Sequence, residues 1–219
     1  MDISNHFPIW NKLTPAQQDA IQGSARLHNA SKGTIIHNGS LDCIGVLVIK
    51  SGQMRAYSLS DDGREITVYR LFDMDVCLFS ASCMMPDVQF DIIIEAEKDC
   101  EFWIIPTPVF KELMDESAHV ANFAIQIMAS RFSDVMWLME QIMWKSFDKR
   151  LAAFLIEESN IEESDVLKIT HEKIGNHLGN PREVVTRMLR YFQGEGMVAL
   201  TRGTIEITNR KALSDLAAQ

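Results

Sequence analysis

The feature that most constrains the fold is a change of hydrophobic period after residue 108. From Val120 to Phe147 apolar residues recur at steps of three to five, as one face of a long α-helix requires. Further apolar residues, including Trp137 and Trp144, make this helix apolar on more than one side. Such a helix must bury one face on its own chain and another on a second copy. The pattern therefore predicts a homodimer joined through the helix.

The expected dimer interface consists of apolar residues spaced three and four apart along the helix. These residues are Phe132, Val135, Met139 and Ile142. The alternative is the central helix of a monomeric domain, in which the same residues would pack inside one chain. The length of the helix favours the dimer.

The region before the helix has the pattern of short antiparallel strands. From Ser24 to Ile105 short apolar alternations are separated by turn residues, for example at Lys32-Gly33 and Ser51-Gly52. Asp62-Gly63 separates two runs rich in β-branched and aromatic residues, which predicts a hairpin. This half is expected to form a compact roll or sandwich of strands.

Charge is distributed unevenly along the chain. The net charge of −9 argues by itself against a nucleic acid as partner. Residues 166–212, however, contain 4 acidic and 8 basic residues, so this segment carries +4. The net charge of the whole chain therefore conceals a basic module in an acidic protein.

Composition excludes several classes of protein. With 47% apolar and 23% charged residues the chain is an ordinary globular protein. The longest apolar run, 43–49, is far shorter than the ~18–20 residues of a membrane span, and the first residues do not resemble a signal peptide. Four irregularly spaced cysteines without a CxxC pair indicate neither a disulfide scaffold nor a zinc site. A cytoplasmic protein without membrane association or a bound metal is expected.

The segment ITHEKIGNHLGNPREVVTRMLRYFQ predicts two short helices joined by a tight turn. Thr170 is a suitable N-cap for the first helix, and Gly179 supplies the turn that ends it. Asn180 is expected to cap the second helix, with proline at the next position and Glu183 completing a capping box. This is the geometry of a helix-turn-helix whose second helix enters the DNA major groove.

The polar residues of this module have side chains suited to reading DNA. Arginine can bond guanine O6 and N7, glutamate can accept from cytosine N4, and threonine can contact a thymine methyl or a phosphate. The residues assigned to DNA binding are Arg182, Glu183, Thr186, Arg187, Arg190, Lys173 and Arg202. Two short strand patterns around Thr201-Arg202-Gly203 predict the hairpin of a winged helix. The ordinary alternative is a helix cap and solvated surface charges.

The segment GNHLGNPREVVTRMLRYFQGEGMV resembles the DNA-reading segment of the CRP/FNR superfamily of bacterial transcription regulators. KGTIIHNG and AEKDCEFWIIP resemble its cyclic-nucleotide-binding-like sensor domain, so the resemblance covers nearly the whole chain. It implies an α+β fold with an antiparallel β-roll sensor domain (1–115), a dimerisation helix (116–146) and a C-terminal winged helix-turn-helix domain (147–219). It also implies a homodimer, a near-palindromic site on double-stranded DNA and RNA polymerase as a partner.

Within the family pattern, three residues fall at the base-contacting positions: Arg182, Glu183 and Arg187. Thr186 falls where some branches of the family use serine, so the half-site that is read stays open.

The resemblance also bears on the effector. Relatives that bind cyclic AMP hold its phosphate with an Arg-Ser pair, whereas the corresponding stretch CLFSASCMMPDVQFDIII contains no arginine. Phe90-Asp91 stands roughly where that pair would be, and a carboxylate would repel the phosphate. Cyclic AMP is therefore not expected as the effector, whose identity stays unknown.

Cysteine chemistry is one alternative for the sensor. Cys77 and Cys83 lie six residues apart in this stretch, and thiolates react with oxidants and ligate soft metals or haem. The opposing interpretation is that both are small buried hydrophobes, with an apolar or anionic ligand or none. The iron–sulfur sensors of the family use cysteines near the N-terminus, and the first 42 residues here contain none.

A cupin-like metal enzyme is the competing class. It needs two or three histidines and a carboxylate on one face of a strand roll, and neither His28 nor His37 has a partner at HxH spacing. The sequence also has no P-loop or nucleophile motif, so an enzyme is not expected. Arg55, Arg64 and Arg70 could serve an anionic ligand, although placement on the surface is the ordinary expectation.

Overall fold

The computed structural model describes residues 2–39, 43–80 and 91–218. The chain divides into two compact units. The N-terminal unit comprises 1–59 and 68–136, and the C-terminal unit comprises 60–67 and 137–219. Within the described parts of the chain, no helix is long and apolar enough to cross a membrane.

The N-terminal unit is built on two four-stranded sheets. The strands are β1 (Arg26–Ala30), β2 (Ile35–Asn38), β3 (Val46–Ser51), β4 (Met54–Leu59), β5 (Glu65–Leu71), β6 (Val76–Cys77), β7 (Ile93–Ala96) and β8 (Cys100–Ile105). One sheet has the order β1-β8-β3-β6 and the other the order β2-β7-β4-β5. The pairs β1–β8, β3–β8, β3–β6, β2–β7 and β4–β7 are antiparallel. The predicted antiparallel roll is confirmed.

Helices accompany the roll at both ends of its sequence. Two 3₁₀ turns (Ile3–Asn5 and Trp10–Lys12) and α1 (Pro15–Ser24) precede it, and α2 (Thr107–Glu116) follows. Alternate residues of β3 are buried in two different hydrophobic clusters. Val46 and Val48 belong to the cluster that includes residues of these helices, whereas Leu47 and Ile49 belong to the cluster between the strands. Burial on both faces explains why the longest apolar run lies here.

The predicted hairpin at Asp62-Gly63 joins β4 and β5. Gly63 has φ +79°, a conformation that glycine adopts without strain. The backbone N–H of Ser60 donates to the carbonyl oxygen of Arg64 at 2.8 Å, which closes the loop.

The long helix predicted from the hydrophobic period is α3 (Ala118–Trp144), with 27 residues. Residues up to Met136 belong to the N-terminal unit, and those from Trp137 belong to the C-terminal unit.

The C-terminal unit is a small α+β domain. Its further elements are α4 (Phe147–Ile161), β9 (Val166–Leu167), α5 (His171–Leu178), α6 (Arg182–Gly194), β10 (Val198–Thr201), β11 (Thr204–Ile207) and α7 (Arg210–Ala218). The three strands form one sheet in the order β10-β11-β9, and β10–β11 is the predicted hairpin.

Helix α4 continues to Ile161, into the polar stretch that precedes β9. Its last turn is held by polar contacts that join distant parts of the unit. Ser159 Oγ donates to Asp165 Oδ1 at 2.7 Å, and Arg210 Nη1 donates to the same oxygen at 2.6 Å. These partners lie up to 51 residues away, so the local sequence gave no signal of them.

Candidate nucleic-acid interface

The first helix of the helix-turn-helix, α5, has the caps that its sequence predicts. Thr170 is the N-cap, and its Oγ1 accepts a hydrogen bond from the backbone N–H of Lys173 at 3.1 Å. Gly179 ends the helix with φ +68°. A Cβ atom at Gly175 would lie 2.5 Å from the carbonyl oxygen of Asn180, so the tight turn requires glycine at position 175.

The cap expected for the second helix is wrong. The N-cap of α6 is Pro181 and makes no side-chain hydrogen bond. The side-chain oxygen of Asn180 instead accepts from Nη2 of Arg150 at 3.1 Å, so it is engaged in holding the turn. Glu183 lies in the first turn of α6 and is exposed, and the expected capping box does not form.

Arg150 on α4 is the residue that holds the turn between the two helices. Besides Asn180, its guanidinium donates from Nη1 to the carbonyl oxygen of Leu178 at 3.1 Å. Burial lowers the pKa of Arg150 below its ordinary value. The site thus depends on a residue that lies outside the predicted motif.

The segment 60–67 also contacts this turn within the C-terminal unit. Ile66 forms an antiparallel bridge with Leu178, and the Thr67 hydroxyl lies 2.8 Å from Nδ1 of His177. A Cβ at Gly179 would meet the Ile66 side chain at 3.2 Å. The turn is therefore packed against this segment as well as bonded to α4.

The second helix separates an apolar face from a charged one. Val185, Leu189 and Phe192 are fully buried, at the spacing of one helix face. The exposed residues assigned to DNA contact on this helix are Arg182, Glu183, Arg187 and Arg190. Helix α6 therefore presents a largely charged outer side.

The remaining assigned residues lie on three different elements. Thr186 is half-buried on α6, and Lys173 is half-buried on α5. Arg202 is exposed in the turn between β10 and β11, where Gly203 has φ +75°. The hairpin tip, α5 and α6 all belong to one compact unit.

Sequence reasoning missed His171, which opens α5. Its Nδ1 lies 2.9 Å from Oγ1 of Thr186, and that hydroxyl also donates to the carbonyl oxygen of Arg182 at 2.9 Å. Burial, followed by the positive charges of Arg182 and Arg190, lowers the pKa of His171 below its ordinary value. No local signal in the sequence marks it, because its partner Thr186 lies 15 residues away.

On the sensor side, the structure describes one of the two candidate cysteines. Cys77 is a free thiol buried in the core of the roll, with Sγ 3.7 Å from the hydroxyl of Tyr69. The guanidinium of Arg131 lies 4.4 Å from the centre of the Tyr69 ring. Burial, together with Cys77, raises the pKa of Tyr69 well above its ordinary value. Cys83 and Phe90 lie outside the described residues.

The other two cysteines differ in redox state. Cys100 is a free, buried thiol, and burial raises its pKa. Cys43 is disulfide-bonded.

The expected surface placement is wrong for two of the three arginines near the roll. Arg55 faces Glu95 across β4 and β7, and their side chains form an ion pair at 2.7 Å. Arg70 forms an ion pair with Glu97 at 2.8 Å, with side chains only 7% and 4% exposed. Arg64 is exposed and paired with Asp62. Glu95 and Glu97 thus compensate the two buried charges.

The two histidines considered for a metal enzyme lie in different sheets. His37 is buried on β2, whereas His28 lies on β1 with its ring stacked on Phe102 at 5.9 Å. In residues 2–39, 43–80 and 91–218 no group of three or more histidine, cysteine, aspartate or glutamate side chains could hold a metal ion.

Comparison with known proteins agrees with this geometry. The family model of the Crp-like helix-turn-helix domain matches residues 149–216. The crystal structure of a Crp/Fnr-family protein from Eubacterium rectale is 60% identical, covers 98% of this chain and all of its own, and superposes with a TM-score of 0.96. The chain belongs to the CRP/FNR family of transcriptional regulators.

Two characterised regulators show the same relationship at greater distance. The fumarate and nitrate reduction regulatory protein of Escherichia coli is 29% identical over 197 residues, 85% of this chain and 76% of that protein. The regulatory protein HlyX of Actinobacillus pleuropneumoniae is 26% identical over 191 residues, 84% of this chain and 78% of its own. As a CRP/FNR protein, the chain is a DNA-binding transcription regulator and not an enzyme.

Proposed function

We propose that this CRP/FNR protein is a homodimer that reads a near-palindromic operator with its two copies of α6. The observation that carries the proposal is the placement of Arg182, Glu183 and Arg187 on the exposed side of α6, with Val185 and Leu189 buried behind it. A helix of this kind fits the major groove and presents its N-terminal residues to base edges. Because a two-fold protein reads a two-fold site, the operator has matching half-sites.

Phosphate contacts are proposed for the basic residues that flank α6. Lys173 on α5, Arg190 on α6 and Arg202 at the hairpin tip would supply affinity without sequence information. Lysine and arginine residues such as these give segment 166–212 its charge of +4, although the whole chain is acidic.

The partner that covers α3 is proposed to be a second copy of this chain. Ile125, Phe132 and Met139 are exposed at seven-residue intervals, and Val135 and Ile142 are exposed three residues after the last two of them. We call these five residues the α3 seam. Phe132 is 66% exposed, although such large apolar side chains are normally covered. A three-four repeat is the pattern by which two helices form a coiled coil.

Each of the three expected domains has its own role. The roll (1–115) receives a signal, the dimerisation helix (116–146) transmits it, and the winged domain (147–219) binds DNA. An effector would act by favouring one arrangement of the two reading helices over another. The cytoplasm is the proposed compartment, and RNA polymerase is the proposed protein partner on DNA.

The effector is proposed to be something other than cyclic AMP. The stretch from Cys77 to Ile94 has no arginine to hold a cyclic phosphate. The two arginines of the neighbouring strands, Arg55 and Arg70, are already paired with Glu95 and Glu97.

Redox gating is the second candidate, and the disulfide of Cys43 favours it. Ile44 N–H donates to the carbonyl oxygen of Ser80 at 3.0 Å, and Ser80 Oγ donates to the carbonyl oxygen of Gly45 at 2.6 Å. These bonds hold the segment after Cys43 beside Ser80. A disulfide can be reduced reversibly, whereas the buried, free Cys77 is less accessible to an oxidant.

Operator selection from a random duplex library tests the function, with reduced and mildly oxidised protein run in parallel. Recovery of one palindromic site supports the homodimeric DNA reader. Recovery in only one redox state adds support for the cysteine switch, whereas recovery in both directs the search to a diffusible ligand. Enrichment of unrelated sequences without two-fold symmetry would contradict the proposal.

A further inference from the structure

The hydroxyl of Thr186 is engaged inside the helix-turn-helix. Its Oγ1 lies 2.9 Å from the carbonyl oxygen of Arg182, one turn earlier in α6, and donates to it. The same oxygen lies 2.9 Å from Nδ1 of His171, the first residue of α5. Both partners belong to the protein, so these contacts exist before DNA is bound.

The two contacts determine where the hydrogen of His171 lies. A hydroxyl has one hydrogen, and the carbonyl oxygen of Arg182 can only accept it. Nδ1 of His171 must then donate to Oγ1 of Thr186, in the neutral as well as the charged imidazole. The neutral ring therefore carries its hydrogen on Nδ1 and leaves Nε2 as an acceptor.

With its hydrogen used, the hydroxyl of Thr186 cannot donate to a base or to a phosphate. The other branch of the side chain is a methyl group. Thr186 lies four residues after Arg182 and one before Arg187, both of which are exposed. Residues four apart share a helix face, so Thr186 belongs to the surface formed by the proposed base readers.

We propose that Thr186 recognises a thymine through its methyl group and that His171 is the positioning residue that holds Thr186 in this orientation. The proposal deepens the proposed function and rests on it, because it requires α6 to enter the major groove. Thymine is the one base that presents a methyl group there, so an apolar contact is sufficient for selection.

The role of His171 follows from threonine rotamers. In a helix, threonine divides between two χ1 rotamers, one of which suits the bond to the carbonyl oxygen one turn back. The donor from His171 adds a second reason to keep the hydroxyl in place. Without it, only the bond to the carbonyl oxygen of Arg182 holds the methyl group in this direction. An asparagine at position 171 offers an amide N–H near the place of Nδ1 and should restore the contact.

The experiment uses the selected operator with each thymine replaced in turn by deoxyuridine, which lacks only the methyl group. For the wild-type protein, one position in each half-site should lose about fourfold in affinity, the effect of one buried methyl contact. Thr186→Ser keeps the hydroxyl and should bind both duplexes equally. Thr186→Val keeps a methyl group and should still distinguish them.

The variants at position 171 separate positioning from simple stability. His171→Ala should reduce the ratio of thymine to uracil affinity, and His171→Asn should restore it. A merely structural residue would weaken both duplexes alike and leave the ratio unchanged. A ratio of thymine to uracil affinity as high as that of wild type, in Thr186→Ser or in His171→Ala, would overturn the proposal.

A second measurement does not depend on DNA. Nitrogen-15 NMR of the free full-length dimer, with His171 assigned through His171→Asn, reports which ring nitrogen carries the hydrogen. A hydrogen on Nδ1 of the neutral ring supports the proposal, and a hydrogen on Nε2 alone overturns it. An operator without two-fold symmetry would contradict the proposed function and leave this result standing, so the two failures are distinguishable.

Discussion

Nη2 of Arg150 lies 3.1 Å from the side-chain oxygen of Asn180, so α4 and the turn of the helix-turn-helix are joined by one guanidinium group. Its Nη1 bonds the carbonyl oxygen of Leu178 in the same turn. A single side chain thus satisfies two acceptors that fix where α6 begins. Since α6 is the proposed reading helix, these two hydrogen bonds connect the stability of the C-terminal unit to DNA recognition.

Replacement of Arg150 should therefore destabilise the C-terminal unit. Arg150→Met keeps most of the apolar stem and removes both hydrogen bonds, which should lower the free energy of unfolding by about 1–3 kcal/mol. Urea unfolding followed by circular dichroism measures the change. Arg64→Met is the matched control, because Arg64 is exposed and paired only at the surface. Equal stability of Arg150→Met and wild type would contradict this role.

The pKa of His171 predicts a pH dependence of stability. Because the folded pKa is lower than that of an unfolded histidine, about 6.5, the unfolded state binds the proton first as pH falls. This contribution to stability is present above pH ~6.5 and is lost as pH falls towards the folded pKa. His171→Asn lacks the titration.

Urea unfolding at several pH values between about 7.5 and 5 tests the sign. The free energy of unfolding should fall more steeply with decreasing pH in wild type than in His171→Asn. The other five histidines are common to both proteins and cancel in the comparison. Parallel curves would show that His171 is not perturbed by folding.

The parts of the site that the sequence predicts are those with local signals. The caps Thr170 and Gly179 act within a few residues, and the exposed arginines of α6 follow from its period. His171 and Arg150 were missed because their partners lie 15 and 30 residues away. Such contacts depend on how helices pack, which no local pattern encodes.

The roll likewise combines features that the local sequence predicts with contacts that it does not. Alternating apolar residues and the Asp62-Gly63 turn predict strands and a hairpin. The burial of Arg55 and Arg70 could not be predicted, because it depends on the packing that brings Glu95 of β7, and Glu97 just after β7, beside them. A charge without a visible partner in the sequence is normally placed on the surface.

Arg187 and Arg202 should respond differently to truncation. Arg187→Ala removes a proposed base contact and should weaken binding to the selected operator by ~1–3 kcal/mol while relaxing preference at one position. Arg202→Ala removes a proposed phosphate contact and should weaken all duplexes alike, with a salt slope smaller by about one. Fluorescence anisotropy on operator and scrambled duplexes at several salt concentrations separates the two. An equal loss of affinity for every duplex sequence in Arg187→Ala would show that Arg187 does not read a base.

Cysteine substitution tests the redox alternative. If the disulfide of Cys43 gates DNA binding, Cys43→Ser should abolish any difference in operator affinity between reduced and oxidised protein. Cys100→Ser is the control, because Cys100 is a buried thiol bonded to backbone carbonyl oxygens. Alkylation of free thiols followed by mass spectrometry checks the redox state. A redox difference that persists in Cys43→Ser would exclude this bond as the switch.

The α3 seam should be necessary for the dimer. Phe132→Glu places a charge in the centre of the seam, where a second copy would have to bury it, and this cost should produce a monomer of 24.8 kDa. The side chain is 66% exposed in the single chain, so the fold itself should be preserved. Sedimentation equilibrium measures the mass, and circular dichroism checks the fold.

Gln126→Glu is the matched control, since it adds the same charge at an exposed position of α3 beside the seam. It should remain a dimer. The Phe132→Glu monomer should still contact a half-site through α6, but its operator affinity should fall because the second half-site is no longer engaged by the same particle. A Phe132→Glu protein that remained dimeric would place the interface elsewhere, and the two-fold symmetry of the operator would then need another origin.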